Sequence, residues 1–228
     1  MKKIVFFCLC SMAAFSQSND TIGKVERTIS IDDPYYREDQ MYVTITHSIL
    51  QNKPHGFKQN SLSPGVTFGF LRDIPLNKAR RIAIAPGLGL AYHNLRHNLL
   101  TINSDIVPYE VNSDYEKNNQ HFWYLEIPLE FRWRNSTMES HKFWRVYAGI
   151  KYSYLLSSKS IYEGKHGNFT YKNNPDLNKS MIGMYISAGF NTWNLYAYYG
   201  FQPVFKQNII PNNKGLNYFN VGLAFYIL

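Results

Sequence analysis

The chain contains no run of about 18 consecutive apolar residues, so no helix in it is long and greasy enough to cross a bilayer. Cysteine is nearly missing, and the two present, Cys8 and Cys10, both stand in the first ten residues. Acidic residues are the scarcer charge, 16 against 24 basic ones, for a formal net charge of +8. Mean hydropathy is only −0.33. A modest hydropathy does not argue against a membrane protein, because a barrel strand is apolar at every second residue only.

The first residues read as an export signal. Lys2 and Lys3 are followed by a short apolar run over residues 4–14, and Ala14-Phe15-Ser16 supplies small residues suited to cleavage. Residues 1–16 are expected to be a signal peptide, leaving Gln17 first. Neither cysteine follows the small residues that a lipoprotein signal needs. Both leave with the leader, which excludes disulfides, thiolate metal sites and cysteine catalysis in the mature chain. Without Lys2 and Lys3 the formal charge is +6. An exported chain seldom meets nucleic acid, so none is expected as a partner. Anionic outer-membrane lipid and lipopolysaccharide are the expected counter-charges.

What the chain does have is alternation. In residues 216–228, Phe219, Val221, Leu223, Phe225 and Ile227 are large and apolar, while Tyr218, Asn220, Gly222, Ala224 and Tyr226 between them are polar, small or amphipathic. That period of two describes a β-strand with one greasy face. The strongest example puts Trp123, Leu125, Ile127, Leu129, Phe131 and Trp133 on one face, against Phe122, Tyr124, Glu126, Pro128, Glu130 and Arg132. The weakest has Val43, Ile45 and Ile49 with His47 intruding among them. Eight such segments are found, near 40–51, 61–72, 81–93, 121–134, 143–156, 181–191, 193–206 and 216–228. The connections after the second, fourth and sixth are compact, and those after the first, third, fifth and seventh are longer or more polar. Short turns at one end and long loops at the other mark outer-membrane barrels.

A soluble eight-stranded carrier barrel shares this period with its apolar face inward. The interior of eight strands is only just wide enough for side chains to fill, and roughly forty bulky apolar side chains do not fit there. The opposite face is rich in glycine, including Gly65, Gly69, Gly87, Gly89, Gly149 and Gly183. The greasy face must therefore point outward, into lipid. Trp123, Trp133, Trp144 and Trp193 lie near strand ends and suit aromatic girdles at the lipid interfaces.

The stretches Gly65-Val66-Thr67-Phe68-Gly69-Phe70-Leu71-Arg72-Asp73-Ile74-Pro75-Leu76-Asn77 and Leu125-Glu126-Ile127-Pro128-Leu129-Glu130-Phe131-Arg132, with the ending Val221-Gly222-Leu223-Ala224-Phe225-Tyr226, resemble the PorT-like family. These are small outer-membrane β-barrels of Bacteroidota-type bacteria, and the resemblance spans about residue 40 to the end. It implies the same fold, a place among porin-like membrane proteins, and a role in type IX secretion, which the family's named member serves. It implies no catalytic residues.

The inward face of the fourth and fifth strands holds Glu126, Glu130, Arg132, Arg145 and Lys151. Charges enclosed together are expected to pair into a lumen network, because an unpaired one costs several kcal/mol. The sharper alternative is a gate or proton path. Glu126 and Glu130 stand roughly 13 Å apart along the strand, too wide for a glycosidase pair. His93 and His97 have the i, i+4 spacing of a helical zinc pair, but a strand separates such rings, so no metal or other cofactor is expected. His93, His97, Ser104 and Asp105 are also the residues a lipid A-modifying hydrolase would use near the barrel rim, yet no spacing marks a triad.

The expected organisation is a signal peptide over residues 1–16, a periplasmic arm over 17–39 and an all-β, eight-stranded antiparallel up-and-down transmembrane β-barrel over 40–228. The protein is placed in the outer membrane of a Gram-negative cell, multi-pass, with both termini periplasmic. The expected function is structural or accessory and non-enzymatic, assisting secretion with a periplasmic or secretion-machinery partner. A narrow gated channel for small solutes is the alternative.

Overall fold

A computed structural model of the chain describes residues 39–59, 61–77, 81–101, 109–111, 114–135, 144–164, 167–206, 209 and 215–227. The signal peptide, the arm up to residue 38, Ser104, Asp105 and Leu228 lie outside the described residues.

Among the described residues the chain forms β1 (Gln40–Gln51), β2 (Pro64–Leu71), β3 (Ile74–Pro75), β4 (Ile82–Arg96), β5 (Leu99–Thr101), β6 (Tyr109–Val111), β7 (Tyr115–Arg134), β8 (Trp144–Gly164), β9 (Gly167–Lys172), β10 (Ser180–Phe190), β11 (Trp193–Pro203) and β12 (Asn217–Ile227). Eight of these make a closed antiparallel barrel in the order β1-β2-β4-β7-β8-β10-β11-β12, and β12 returns to β1 with Ile227 opposite Met41. Closure leaves no unpaired sheet edge, which a lipid-facing sheet cannot tolerate. Of the short strands, β3 pairs with β4, β5 with β6, and β9 with the far end of β8.

The alternation sets which way each strand faces. Along β7, Tyr124, Glu126, Pro128, Glu130, Arg132 and Arg134 are buried, while Trp123, Ile127, Leu129, Phe131 and Trp133 are exposed. The same holds around the ring, so the bulky apolar residues form an outward belt. Trp133, Trp144 and Trp193 gather at the end with short turns, where Trp144 meets Phe190 (ring centroids 5.5 Å) and Trp193 meets Phe225 (5.1 Å). Trp123 lies toward the other end beside Tyr92 (5.0 Å). Ten residues separate Trp123 from Trp133, ~33 Å along a strand and about 25 Å of depth at a strand tilt of about 40°, the height of an outer-membrane apolar band. His47 stays on the outer face, where its Nδ1 accepts the Ser63 amide at 3.1 Å.

Three strands run further than the alternation of greasy residues indicates. β4 continues to Arg96, β7 begins at Tyr115 and β8 continues to Gly164, paired through Asn94–His121 and His121–Lys159. Beyond the lipid belt the ladder no longer needs apolar residues on one face, so hydrogen bonding persists where the hydrophobic period fades. At the opposite end the β10–β11 turn is Asn191-Thr192, with Asn191 at φ 54°, a left-handed conformation that asparagine tolerates.

The long connections are not simply polar. Phe57, Leu99, Leu177, Val204, Phe205 and Leu216 are buried at that end, in one apolar cluster with the lumen tyrosines. Tyr109 donates to Asp176 Oδ2 (3.0 Å), accepts from Asn174 Nδ2 (2.7 Å) and packs edge-on against Phe205. Asn98 ties the β1–β2 connection down, accepting from the Lys58 amide (2.7 Å) and donating to the Gly56 carbonyl (2.9 Å). These residues build an ordered cap.

Candidate functional site

The barrel lumen is filled in tiers, and glycine makes the room. Gly69 on β2 faces Gly89 on β4, and the ring of Tyr42 lies over the gap. A Cβ on Gly69 would stand 2.5 Å from Tyr42 Cε1, and one on Gly89 would stand 2.4 Å from its hydroxyl oxygen. A side chain at either position therefore excludes the tyrosine.

The tier at the short-turn end is ionic. Arg132 donates from Nε to Glu130 Oε1 (2.7 Å) and from Nη1 to Asp73 Oδ1 (2.8 Å). Arg134 donates from Nη2 to the other Asp73 oxygen (2.9 Å). The second oxygen of Glu130 accepts from the hydroxyls of Tyr185 (3.0 Å) and Tyr226 (3.3 Å). Arg132 and Arg145 lie over the ring of Tyr147 at 5.0 and 5.9 Å, so aromatic faces share the cationic charge.

The middle tier is the pair of Lys151 and Glu126, with Nζ 2.9 Å from Oε1 and 3.0 Å from Oε2. Lys151 also donates to the Tyr196 hydroxyl (3.3 Å) and sits 4.4 Å above the Tyr198 ring. The cavity between these tiers holds about 10 Å³, room for at most one water. Toward the cap, Ser48 Oγ and His93 Nδ1 are 3.1 Å apart beneath Tyr124 and Tyr218, whose hydroxyls are 3.4 Å apart.

All five charged residues read from the sequence, Glu126, Glu130, Arg132, Arg145 and Lys151, lie buried in this lumen. The four tryptophans, Trp123, Trp133, Trp144 and Trp193, all lie on the outside. Sequence reasoning missed Asp73 and Arg134, which complete the ionic tier. A signal was present. Asp73 continues the inward period of Gly65, Thr67, Gly69 and Leu71 past the end of β2, and Arg134 continues that of β7. His93 and His97 are not brought together: His93 is inside the barrel, and His97 lies in the cap beside Phe57 (ring centroids 5.2 Å).

A family model described as the outer membrane protein beta-barrel domain matches residues 15–206. The chain belongs to that family. This outer-membrane barrel is similar in structure to the attachment invasion locus protein Ail of Yersinia pestis, at 10% sequence identity and a TM-score of 0.37, covering 82% of this chain and 96% of that one. No curated protein matches the barrel in sequence.

Proposed function

We propose that this outer-membrane barrel is a closed, non-enzymatic protein that acts through the cap at its long-loop end and through the segment preceding β1. In this reading the cap faces the cell exterior and both termini face the periplasm. The unequal connections support it, since outer-membrane barrels carry short periplasmic turns and long outer loops. The observation that carries the closed reading is the pair of contacts that β7 makes with β12 on the opposite side of the ring: the Tyr226 hydroxyl donates to Glu130 Oε2 (3.3 Å), and the Tyr124 and Tyr218 hydroxyls are 3.4 Å apart. A solute path through the lumen would have to part both.

The features that favour a hydrolase are Ser48 and His93, and these are sealed under the tyrosines rather than open to a lipid substrate. The resemblance of residues 65–77, 125–132 and 221–226 to the PorT-like family supports a more specialised role: assisting type IX secretion by docking a periplasmic or secretion-machinery protein. The expected partners are therefore membrane lipid, lipopolysaccharide and one such protein, with no nucleic acid.

Two experiments test the reading. In planar bilayers the protein should show little or no conductance, and a stable large open state in most insertions would favour the narrow gated channel instead. Deletion of the gene should strip type IX cargo from the cell surface, and an unchanged secretome would remove the secretion role while leaving the closed barrel.

A further inference from the structure

Above the Tyr92–Trp123 step of the outer girdle, β4, β7, β8 and β9 continue side by side, and their outer face changes from apolar to basic. Asn94 stands opposite His121, His121 opposite Lys159, and Lys159 opposite Lys172, with Arg96 one step further along β4. Arg96, Lys159 and Lys172 are exposed. The charges of Lys159, Lys117 and Arg96 converge on His121, whose Nδ1 is 2.6 Å from the Tyr92 hydroxyl. Lys117 is matched by Glu163 at 2.7 Å. Among the described residues no carboxylate pairs with Lys159 or Lys172, although like charges placed directly opposite on neighbouring strands destabilise a sheet. A groove of about 530 Å³ runs past these lysines, His121, Ile161, Tyr92 and Trp123.

We propose that this groove binds the phosphorylated headgroup of a lipid A-type glycolipid, whose acyl chains lie against the belt below Trp123. Two observations carry the assignment. The basic row begins where the lipid-facing aromatics stop, so a ligand on it is already anchored in the membrane. The row spans four strands, or three spacings totalling ~14 Å. That width suits a disaccharide with a phosphate at each end better than a phospholipid with one. An anion lying over Lys159 and Lys172 also offsets their mutual repulsion. The choice of lipid rests on the outward orientation of the cap proposed above.

The test uses the mature protein folded in detergent. Native mass spectrometry measures binding of bisphosphorylated lipid A, monophosphoryl lipid A and phosphatidylglycerol. Affinity should fall in that order. The double variant K159Q/K172Q should bind bisphosphorylated lipid A about 25-fold more weakly, at the usual strength of a lysine near an anionic lipid surface. K159R/K172R should retain binding, and K58Q/K206Q, which removes two exposed lysines of the cap, should match the parent. Unchanged affinity in K159Q/K172Q, an equal loss in K58Q/K206Q, or equal binding of phosphatidylglycerol overturns the proposal. Heat-modifiable migration on a gel shows that each variant is folded. Orientation is read separately, from an epitope inserted between Gly164 and Gly167: exposure on intact cells supports it, and a hidden epitope overturns the orientation alone.

Discussion

Asp73 and Arg132 meet inside the barrel with Oδ1 2.8 Å from Nη1, and neither side chain is exposed to solvent. Asp73 lies two residues beyond β2, so a residue from a turn closes the ionic tier of the lumen. Its second oxygen holds Arg134, and its amide donates to Asp39 Oδ1 at 3.2 Å, at the start of β1. Asp73 thereby joins the end of β2 to β7 through its carboxylate and to the residue before β1 through its amide.

Removing that charge takes one ionic contact from each of two buried guanidiniums, although Arg132 keeps Glu130. Asp73→Asn should destabilise the barrel by about 3–5 kcal/mol, the usual consequence of breaking a buried ion pair. Equilibrium urea unfolding in lipid vesicles measures it. A loss under about 1 kcal/mol would mean that Glu130 and the aromatic faces suffice to hold Arg132 and Arg134.

Glu126→Gln tests the middle tier. It removes the charge facing Lys151 and should lower the gel-shift temperature or raise bilayer conductance. Lys117→Gln breaks the half-exposed pair with Glu163 and should change stability by at most about 0.5 kcal/mol. Equal effects of the two substitutions would discard the lumen network as a stabilising element.

Gly89→Ala puts a methyl group 2.4 Å from the Tyr42 hydroxyl oxygen. Overpacking of this kind should cost about 1–3 kcal/mol. The double variant with Tyr42→Leu should recover part of that loss, giving a non-additive cycle in the same unfolding assay. Strict additivity would show that the glycine is needed for its backbone rather than for the ring.

The cap should respond to acid through His97. Burial pushes its imidazole down from an ordinary value near 6.5 to about 4, and Nδ1 already accepts the Leu99 amide at 3.2 Å. The unfolded cap binds the proton more readily, so stability is complete above pH 6.5 and falls as pH drops toward 4. The loss approaches about 3 kcal/mol below that point. Hydrogen exchange at the amides of Asn98 and Leu99 should quicken over this window, and His97→Gln should flatten the response. Equal acid sensitivity in both proteins would exclude His97 as the cause.

Glu126, Glu130, Arg132, Arg145 and Lys151 were identifiable from the chain alone because period-two alternation assigns every residue of a strand to one face. The same rule, with the crowding of an eight-stranded interior, determined the barrel, its strand number and its inside-out polarity. What the sequence did not reveal lies where periodicity stops. The overrun of β4, β7 and β8 beyond the lipid belt carries no hydrophobic rhythm. Phe57, Leu99, Val204 and Phe205 come from connections far apart in the chain, and only the closed ring gathers them into a cap. Pairing is likewise a matter of three dimensions. Alternation puts Lys151 and Arg132 inside, but strand register and tilt decide that one meets Glu126 and the other Asp73. The basic row of Arg96, His121, Lys159 and Lys172 is four unremarkable residues in sequence. Hydrogen bonding between β4, β7, β8 and β9 makes it a surface, because cross-strand neighbours are set by register and not by distance along the chain.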